Sequence, residues 1–421
     1  MKALINKSET KGKVRAPSSK SYTIRGLMCA ALAEGESEIL SPLISEDTQA
    51  AINVLSQVGI HIRQQADLWR IEGGDFHEPD TDLLCGDSAT TLRFMTAICS
   101  VIPGRCRLVP GPSLARRPVK PLIQALRQLG VDCSSQGEVA PAIVEGSRLK
   151  GGVAELPGNI SSQFVSALLL ISPLAEEIVK IRLTTPPESK PYLRMTLDCL
   201  ERFGIRIVSS KDLRQFEAVK QSYKPATYEV EGDWSSASYF LALGALSGEV
   251  EVENLNPQSH QGDKIILNFL RDMGASFEIK QNSVIVRKSQ LKAIPADLSD
   301  CIDLLPTMAV LAAVADGVSE FTGIFRARLK ESNRVDAVRK TLTRMGIKTV
   351  EEKNRLTIAG SAPKGSAIDA KGDHRLAMAF SILGSQAGET IINDAECVAK
   401  TYPQFWEELK SIGGEVNING K

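Results

Sequence analysis

The 421 residues are 43% hydrophobic and 24% charged, and fifty basic side chains balance fifty acidic ones, which excludes a surface given over to nucleic acid but leaves room for a locally basic pocket. No apolar run is long enough to cross a bilayer, and residues 1–13 lack the apolar core of a signal peptide, so a cytoplasmic chain without membrane or nucleic-acid partners is expected. Eight scattered cysteines without a C-x-x-C pair, and only four histidines, argue for buried reduced thiols and against a structural metal site.

In chain order, the sequence reads as six copies of one unit. Each opens on a polar, often Ser-rich start, enters an apolar helix, and continues through a short strand and a polar loop. A second, one-faced helix then ends at a glycine. Copy one is SSKSYTIRGLMCAALAEGESEIL followed by the helix of Ile52, Leu55 and Val58. Copy two is GDSATTLRFMTAICSVIPGRCRLV, then Leu122, Ile123, Leu126 and Leu129. Copy three is NISSQFVSALLLISPLA, then Leu193, Leu197, Leu200 and Phe203. Copies four, five and six open with GDWSSASYFLALGAL, CIDLLPTMAVLAAVADG and GDHRLAMAFSILGSQAG.

The closing glycines are Gly59, Gly130, Gly204, Gly274, Gly346 and Gly413, at intervals of 71, 74, 70, 72 and 67 residues. Apolar spacings of three and four mark one-faced helices, and a terminal glycine suits a C-cap that needs positive φ. β-rich stretches such as VIVRKS at 284–289 follow each glycine. The pattern predicts an α/β protein of six βαβαββ-like units, three to a domain. The polar stretch near 225–231 is the expected boundary.

Basic and hydroxyl residues concentrate at two recurrent places. First-helix starts carry Lys20, Ser21, Arg25, Arg93, Ser161, Ser162, Gln163 and Arg375, and the loops before second helices carry Arg117, Ser189, Lys190, Lys330, Arg334 and Lys400. Helix N-termini favour anions, and Arg suits bidentate recognition of phosphate and carboxylate. Small phosphorylated and carboxylated substrates are expected. Taken singly, each residue has a plainer reading. Ser21 and Ser161 suit helix caps, Arg25 a solvated charge, Asp303 an N-cap, and Glu331 with Arg334 a surface pair. Their recurrence at the same repeat positions speaks against those readings.

The segments SSKSYTIR (18–25), GDSATTLR (86–93), ARRPVKPL (115–122), ISSQF (160–164), SKPY (189–192), LKESNR (329–334), DHRLAM (373–378) and AKTYP (399–403) resemble, in order, the signatures of the 5-enolpyruvylshikimate-3-phosphate synthase family of enolpyruvyl transferases. The resemblance spans nearly the whole chain. It implies the two-domain enolpyruvyl transferase fold, an inside-out α/β barrel of three βαβαββ units per domain, with the active site in the inter-domain cleft. The domains would be 18–228, mainly binding shikimate 3-phosphate, and 1–17 plus 229–421, carrying the catalytic carboxylates and phosphoenolpyruvate-binding cations. The first strand, within 1–17, would cross back to the second domain.

The implied activity is transfer of the enolpyruvyl group of phosphoenolpyruvate to the 5-hydroxyl of shikimate 3-phosphate through a tetrahedral intermediate, with no metal or organic cofactor and in a monomer. Lys20, Ser21, Arg25, Ser161, Ser162, Gln163, Ser189, Tyr192, Asp303 and Lys330 would contact shikimate 3-phosphate. Lys20, Ala89, Arg117, Gln163, Glu331, Arg334, Arg375 and Lys400 would contact phosphoenolpyruvate. Asp303 would be the base at the hydroxyl, and Glu331 and Lys20 candidates for the acid at the methylene carbon.

Three residues depart from the family pattern. Asp87 stands where Asn is usual, and its charge has no explanation in the sequence. Ala89 replaces the usual Gly and would intrude on the phosphoenolpyruvate pocket, an exchange associated in the family with reduced glyphosate sensitivity. Arg326 replaces an Asn that contacts shikimate. The sister enzyme acting on UDP-N-acetylglucosamine carries a Cys or Asp where PGPSLARRP has Pro112, and the nucleotide-binding His of RNA 3′-phosphate cyclase is not apparent. A non-catalytic anion-binding protein on the same scaffold would be expected to lose Asp303, Glu331 or Lys20.

Overall fold

The structure is a computed structural model that describes residues 1–146 and 148–419. The chain forms two compact units, one of Ser18–Val230 and the other of Met1–Pro17 with Glu231–Lys421. They are called the N-terminal and C-terminal units below. Among the described residues the six copies supply twelve α-helices. In the N-terminal unit these are α1 (Lys20–Leu32), α2 (Glu46–Gln57), α3 (Ala89–Ile98), α4 (Lys120–Gln128), α5 (Ser162–Ile171) and α6 (Lys190–Arg202). The C-terminal unit holds α7 (Trp234–Ser247), α8 (Ile266–Asp272), α9 (Leu305–Val314), α10 (Arg334–Arg344), α11 (His374–Ala387) and α12 (Phe405–Ser411). Among the described residues, no helix is long and apolar enough to cross a membrane.

Every copy folds its strands the same way. In copy two, Leu83–Leu84 runs parallel to Gly104–Val109, which pairs antiparallel with Val139–Gly146, which pairs antiparallel with Asp132–Gln136. The parallel pair needs a crossover, and α3 supplies it. The remaining five sheets are also four-stranded with the same order of strand roles. Three of them are completed by strands from distant sequence. Thr227–Glu229, at the end of the N-terminal unit, takes the first-strand place of copy one beside Gly35–Leu40. Thr10–Arg15 takes the first-strand place of copy four beside Gly248–Glu253. Lys2–Ile5 lies between Thr390–Asn393 and Val416–Asn419 in copy six. The single returning strand expected within 1–17 is therefore two strands, serving two different sheets.

The first helix of each copy forms the interior. All fourteen residues of α7 are buried, and α3 and α9 are nearly so. A helix buried on every side has no polar face, which is why these segments read as near-continuous apolar runs. Within the C-terminal unit α7, α9 and α11 pack on one another, and in the N-terminal unit α3 packs against both α1 and α5. Second helices are one-faced, as in α4, where Leu122, Ile123, Ala125 and Leu126 are buried.

Each second helix ends identically. The closing glycine has φ between +80° and +106°, and its N–H bonds the carbonyl three residues back. The next residue's N–H then reaches five residues back, as in Ile60 to Leu55, Val131 to Leu126 and Ile347 to Leu342, at 2.9–3.1 Å. This is the Schellman stop, and glycine is there because positive φ costs it nothing.

Side chains cap five of the six first helices. Ser19, Ser88, Ser161, Asp233 and Asp373 accept from N–H groups of the first turn. The cap of α1 is thus Ser19, and Ser21 lies inside the helix. Copy five differs. Its helix is entered through the 3₁₀ turn Ile302–Leu304, and no side chain caps α9. Asp303 stands in that turn, so its carboxylate is available for something else.

Candidate active site

In the N-terminal unit, hydrogen bonds tie helix N-termini together. Lys20 Nζ lies 2.7 Å from Asp47 Oδ2, in the first turn of α2. Arg25 is 1% exposed, so it is no solvated charge. Its Nε donates to Thr196 Oγ1 (2.9 Å), and its terminal nitrogens donate to the carbonyls of Ser21 (3.0 Å) and Tyr192 (3.4 Å). Its guanidinium lies over the rings of Phe94 and Tyr192, at 5.3 and 5.8 Å. Burial lowers its affinity for the proton from the ordinary arginine value, and nearby Cys199 and Tyr192 oppose that shift.

Arg93 joins α3 to α5. One of its terminal nitrogens donates to Ser161 Oγ (3.1 Å) and Gln163 Oε1 (2.6 Å), and the other to the Pro118 carbonyl (3.2 Å). Gln163 Nε2 donates in turn to Thr90 Oγ1 (2.9 Å). Ser161 caps α5 and Ser162 opens it. Ser189 sits buried in the left-handed region at φ +56°, just before α6. Non-glycine residues there carry strain of order 1 kcal/mol, and such strain collects at functional positions. Ala89 opens α3, and half-buried Arg117 follows the loop that faces it.

Asp87 now has a structural explanation. Its Oδ1 accepts from the backbone N–H groups of Ser113 (3.0 Å) and Leu114 (3.2 Å), while Gly111 N donates to the Gly86 carbonyl (2.6 Å). Asp87 fastens the loop that leads to Arg117 onto the start of α3.

In the C-terminal unit the cluster is ionic and centres on Arg334, also 1% exposed and so not half of a surface pair. Arg334 donates from Nε to Asp373 Oδ2 (2.8 Å), from one terminal nitrogen to Asp303 Oδ1 (2.6 Å), and from the other to Glu331 and to Asp373 Oδ1 (3.2 Å). Burial works against its charge, but Asp373, Glu331 and Asp303 outweigh it and raise its affinity for the proton.

Asp303 also faces Lys330 Nζ at 3.2 Å and Arg375 at 3.4 Å, so it caps no helix. Burial alone would push its carboxyl up, but Arg375, Lys330 and Arg334 together hold it well below the usual carboxylate range. Arg375 also reaches the Tyr239 hydroxyl (3.4 Å), and burial pushes that phenol up to about 12. Arg326 is buried and donates to the Ser299 carbonyl (2.6 Å), steadying the loop that leads to Asp303. Lys400 ends the 3₁₀ turn Ala395–Lys400, which packs on α11.

The C-terminal unit thus gathers Asp303, Lys330, Glu331, Arg334 and Arg375, with Lys400 on a turn against the same helix. The remaining expected site residues belong to the N-terminal unit. Lys20 and Glu331, both candidates for the acid, lie on different units, and of the groups expected to contact shikimate 3-phosphate, Asp303 and Lys330 lie on the C-terminal unit and the others on the N-terminal one.

The profile of the EPSP synthase family, 3-phosphoshikimate 1-carboxyvinyltransferase, matches residues 5–409. The chain belongs to this family. It is 50% identical over 418 residues to a 3-phosphoshikimate 1-carboxyvinyltransferase of Dehalococcoides mccartyi, with 99% of each chain covered. It is 40% identical to one from Methanocaldococcus jannaschii, with 97% of each covered. An EPSP synthase from Acinetobacter baumannii shares the fold at TM-score 0.83 over the whole of both chains, with 24% identity. Fold class and family agree with the sequence reading, and transfer to a UDP-sugar is not favoured.

Two site-supporting residues of this EPSP synthase family member escaped the sequence reading, and so did the supporting role of a third. Asp47 holds Lys20, Asp373 holds Arg334 and Ser332, and Arg93, noticed only as a recurrent cation, holds Ser161 and Gln163. Asp373 lay inside a quoted signature, DHRLAM. A carboxylate at a first-helix start among so many cations was the available signal.

Proposed function

We propose that the two clusters carry the family's reaction, transfer of the enolpyruvyl group of phosphoenolpyruvate to the 5-hydroxyl of shikimate 3-phosphate. In this reading Ser21, Arg25, Ser161, Ser162, Gln163, Ser189, Tyr192 and Lys330 bind shikimate 3-phosphate. Arg117, Gln163, Arg334, Arg375 and Lys400 bind phosphoenolpyruvate, with the backbone at Ala89, and Lys20 contacts both. Asp303 takes the hydroxyl proton as oxygen attacks C2, and Glu331 or Lys20 gives a proton to the methylene carbon. The tetrahedral intermediate then returns a proton from the new methyl group and expels phosphate. Positioned acid–base groups contribute roughly 10²–10⁴-fold each, and cations stabilise the charge on the phosphate and carboxylate.

One observation carries the reading: three cations, Arg334, Lys330 and Arg375, converge on the single carboxylate of Asp303. Asp303 so held is a weak base. Substrate phosphate and carboxylate groups that share those cations would weaken their hold and raise its basicity on binding. The enzyme is then poised only when substrates are present. Free, mostly buried thiols suit a cytoplasmic setting, and six sheets completed within one chain suit a monomer.

Phosphate release from phosphoenolpyruvate with each acceptor tests the reaction. Dependence on shikimate 3-phosphate is expected, and release only with UDP-N-acetylglucosamine would overturn the reading. Asp303→Ala should lower kcat by roughly 10²–10⁴-fold while the substrates still bind. Unchanged turnover would remove Asp303 from the mechanism.

A further inference from the structure

Asp263 is a buried carboxyl that this chemistry does not use. It lies in the 3₁₀ turn Gly262–Ile265, 3% exposed, and its Oδ2 accepts from the hydroxyl of Ser235 in the first turn of α7. Its Oδ1 is buried and has no hydrogen-bond partner among the described residues. The turn is fixed to the start of α7, because Gln261 accepts from Trp234 N (3.0 Å) and donates to the Gly232 carbonyl (2.8 Å).

The same end of α7 reaches the turn of Asp303. Ser238 Oγ donates to the Ser235 carbonyl (2.6 Å) and lies 2.9 Å from Thr307 Oγ1, in the first turn of α9. One helix end therefore joins the turn bearing Asp263 to the helix that begins just after Asp303.

A carboxylate with a buried, unpartnered oxygen is costly to charge. Burial first, and then the charge of Asp303, push Asp263 up to about 7, while Arg375 and the Ser235 hydroxyl pull the other way. Asp233 adds a little to the upward push. Cys301, whose thiol is itself pushed up by burial, feels Asp263 as well.

We propose that Asp263 is a positioning residue for Asp303, a second buried carboxyl whose charge state sets how tightly the cations hold the base. When Asp263 is neutral, Asp303 is left to Arg334, Lys330 and Arg375. When Asp263 is charged, it opposes the negative charge of Asp303 and competes for Arg375, and Asp303 becomes the stronger base. The proposal rests on Asp303 being that base.

The test compares Asp263→Asn, which keeps an acceptor for Ser235 but cannot ionise, with the parent. A carboxyl raised in the folded state binds more protons there than when unfolded, so it subtracts stability as pH climbs from the unfolded value to the folded one. The Tm of Asp263→Asn relative to the parent should therefore rise between about pH 4 and pH 7 and level off above. In the pH profile of kcat, an ionisation near neutrality should disappear, while KM for phosphoenolpyruvate changes less than about twofold. Ser235→Ala removes a hydrogen bond that favours the charged form, so it should move that ionisation to higher pH.

A kcat profile of Asp263→Asn with the parent's shape, or lowered by one factor at every pH, overturns the proposal. Full turnover in Asp303→Ala would bring down the base assignment and this proposal together. That failure is distinguishable, because the Tm trend of Asp263→Asn does not depend on whether Asp303 acts as the catalytic base.

Discussion

Arg334 meets three carboxylates while almost wholly buried, and Asp373 makes two of those contacts as well as capping α11. Removing one partner of a buried ion pair costs about 3–5 kcal/mol, because the other charge is left uncompensated. Asp373→Ala should therefore lower stability to denaturant by several kcal/mol and lose phosphoenolpyruvate binding with it; a loss below ~1 kcal/mol, the worth of a cap alone, would mean the ion pair is not stabilising. Ala89 raises a different question. It opens α3, and Asp87 fixes that opening to the loop before Arg117, so an added methyl there has little freedom to move away. Ala89→Gly should increase inhibition by glyphosate at fixed phosphoenolpyruvate, and equal inhibition of both forms would sink the idea. The residue scale is where the sequence was least legible. A lone Asp reads as a cap, and Asp373 is one, yet Asp303 is not. Only the fold shows which carboxylates face Arg334, because pairing across 31 or 39 residues leaves no local pattern.

At the scale of elements the sequence was far more readable. Apolar spacing and the closing glycine follow from local backbone geometry, so they recur wherever the helix stop recurs. The six glycines share one conformation but not one environment. Beside Gly346 an added Cβ meets nothing nearer than Lys364 Cδ at 3.9 Å, whereas at Gly59 it would stand 2.5 Å from the Asp75 carbonyl oxygen. Gly346→Ala should cost only the left-handed backbone term, about 1–2 kcal/mol. Gly59→Ala should cost clearly more in the same urea titration, and equal losses would show that backbone conformation alone decides both. Copy five breaks the capping rule that the other five obey, at the turn that holds Asp303. A forgone cap costs about 1 kcal/mol, and departures from local preference of this kind concentrate where a site needs the residue elsewhere.

Across the whole molecule the repeat closes on itself, and no local pattern could reveal how. Lys2–Ile5 and Thr10–Arg15 complete sheets whose other strands lie more than 230 residues later, and Thr227–Glu229 completes the sheet of copy one. The consequences for the two units are unequal. Ser18–Val230 contains every strand of its three sheets, so that fragment should fold alone and unfold cooperatively. Residues 231–421 lack the strand that lies between Thr390–Asn393 and Val416–Asn419, where Ala3 and Ile5 are fully buried. Losing an interior strand exposes two strand edges and removes core side chains, each worth ~1.5–3 kcal/mol when large and apolar. With total stability of about 5–15 kcal/mol, that fragment should not hold a fixed tertiary structure. Adding residues 1–17 as a separate peptide should restore near-ultraviolet circular dichroism in proportion to peptide bound. A fragment of 231–421 that unfolds cooperatively without the peptide would show that the returning strands decorate the C-terminal unit rather than complete it.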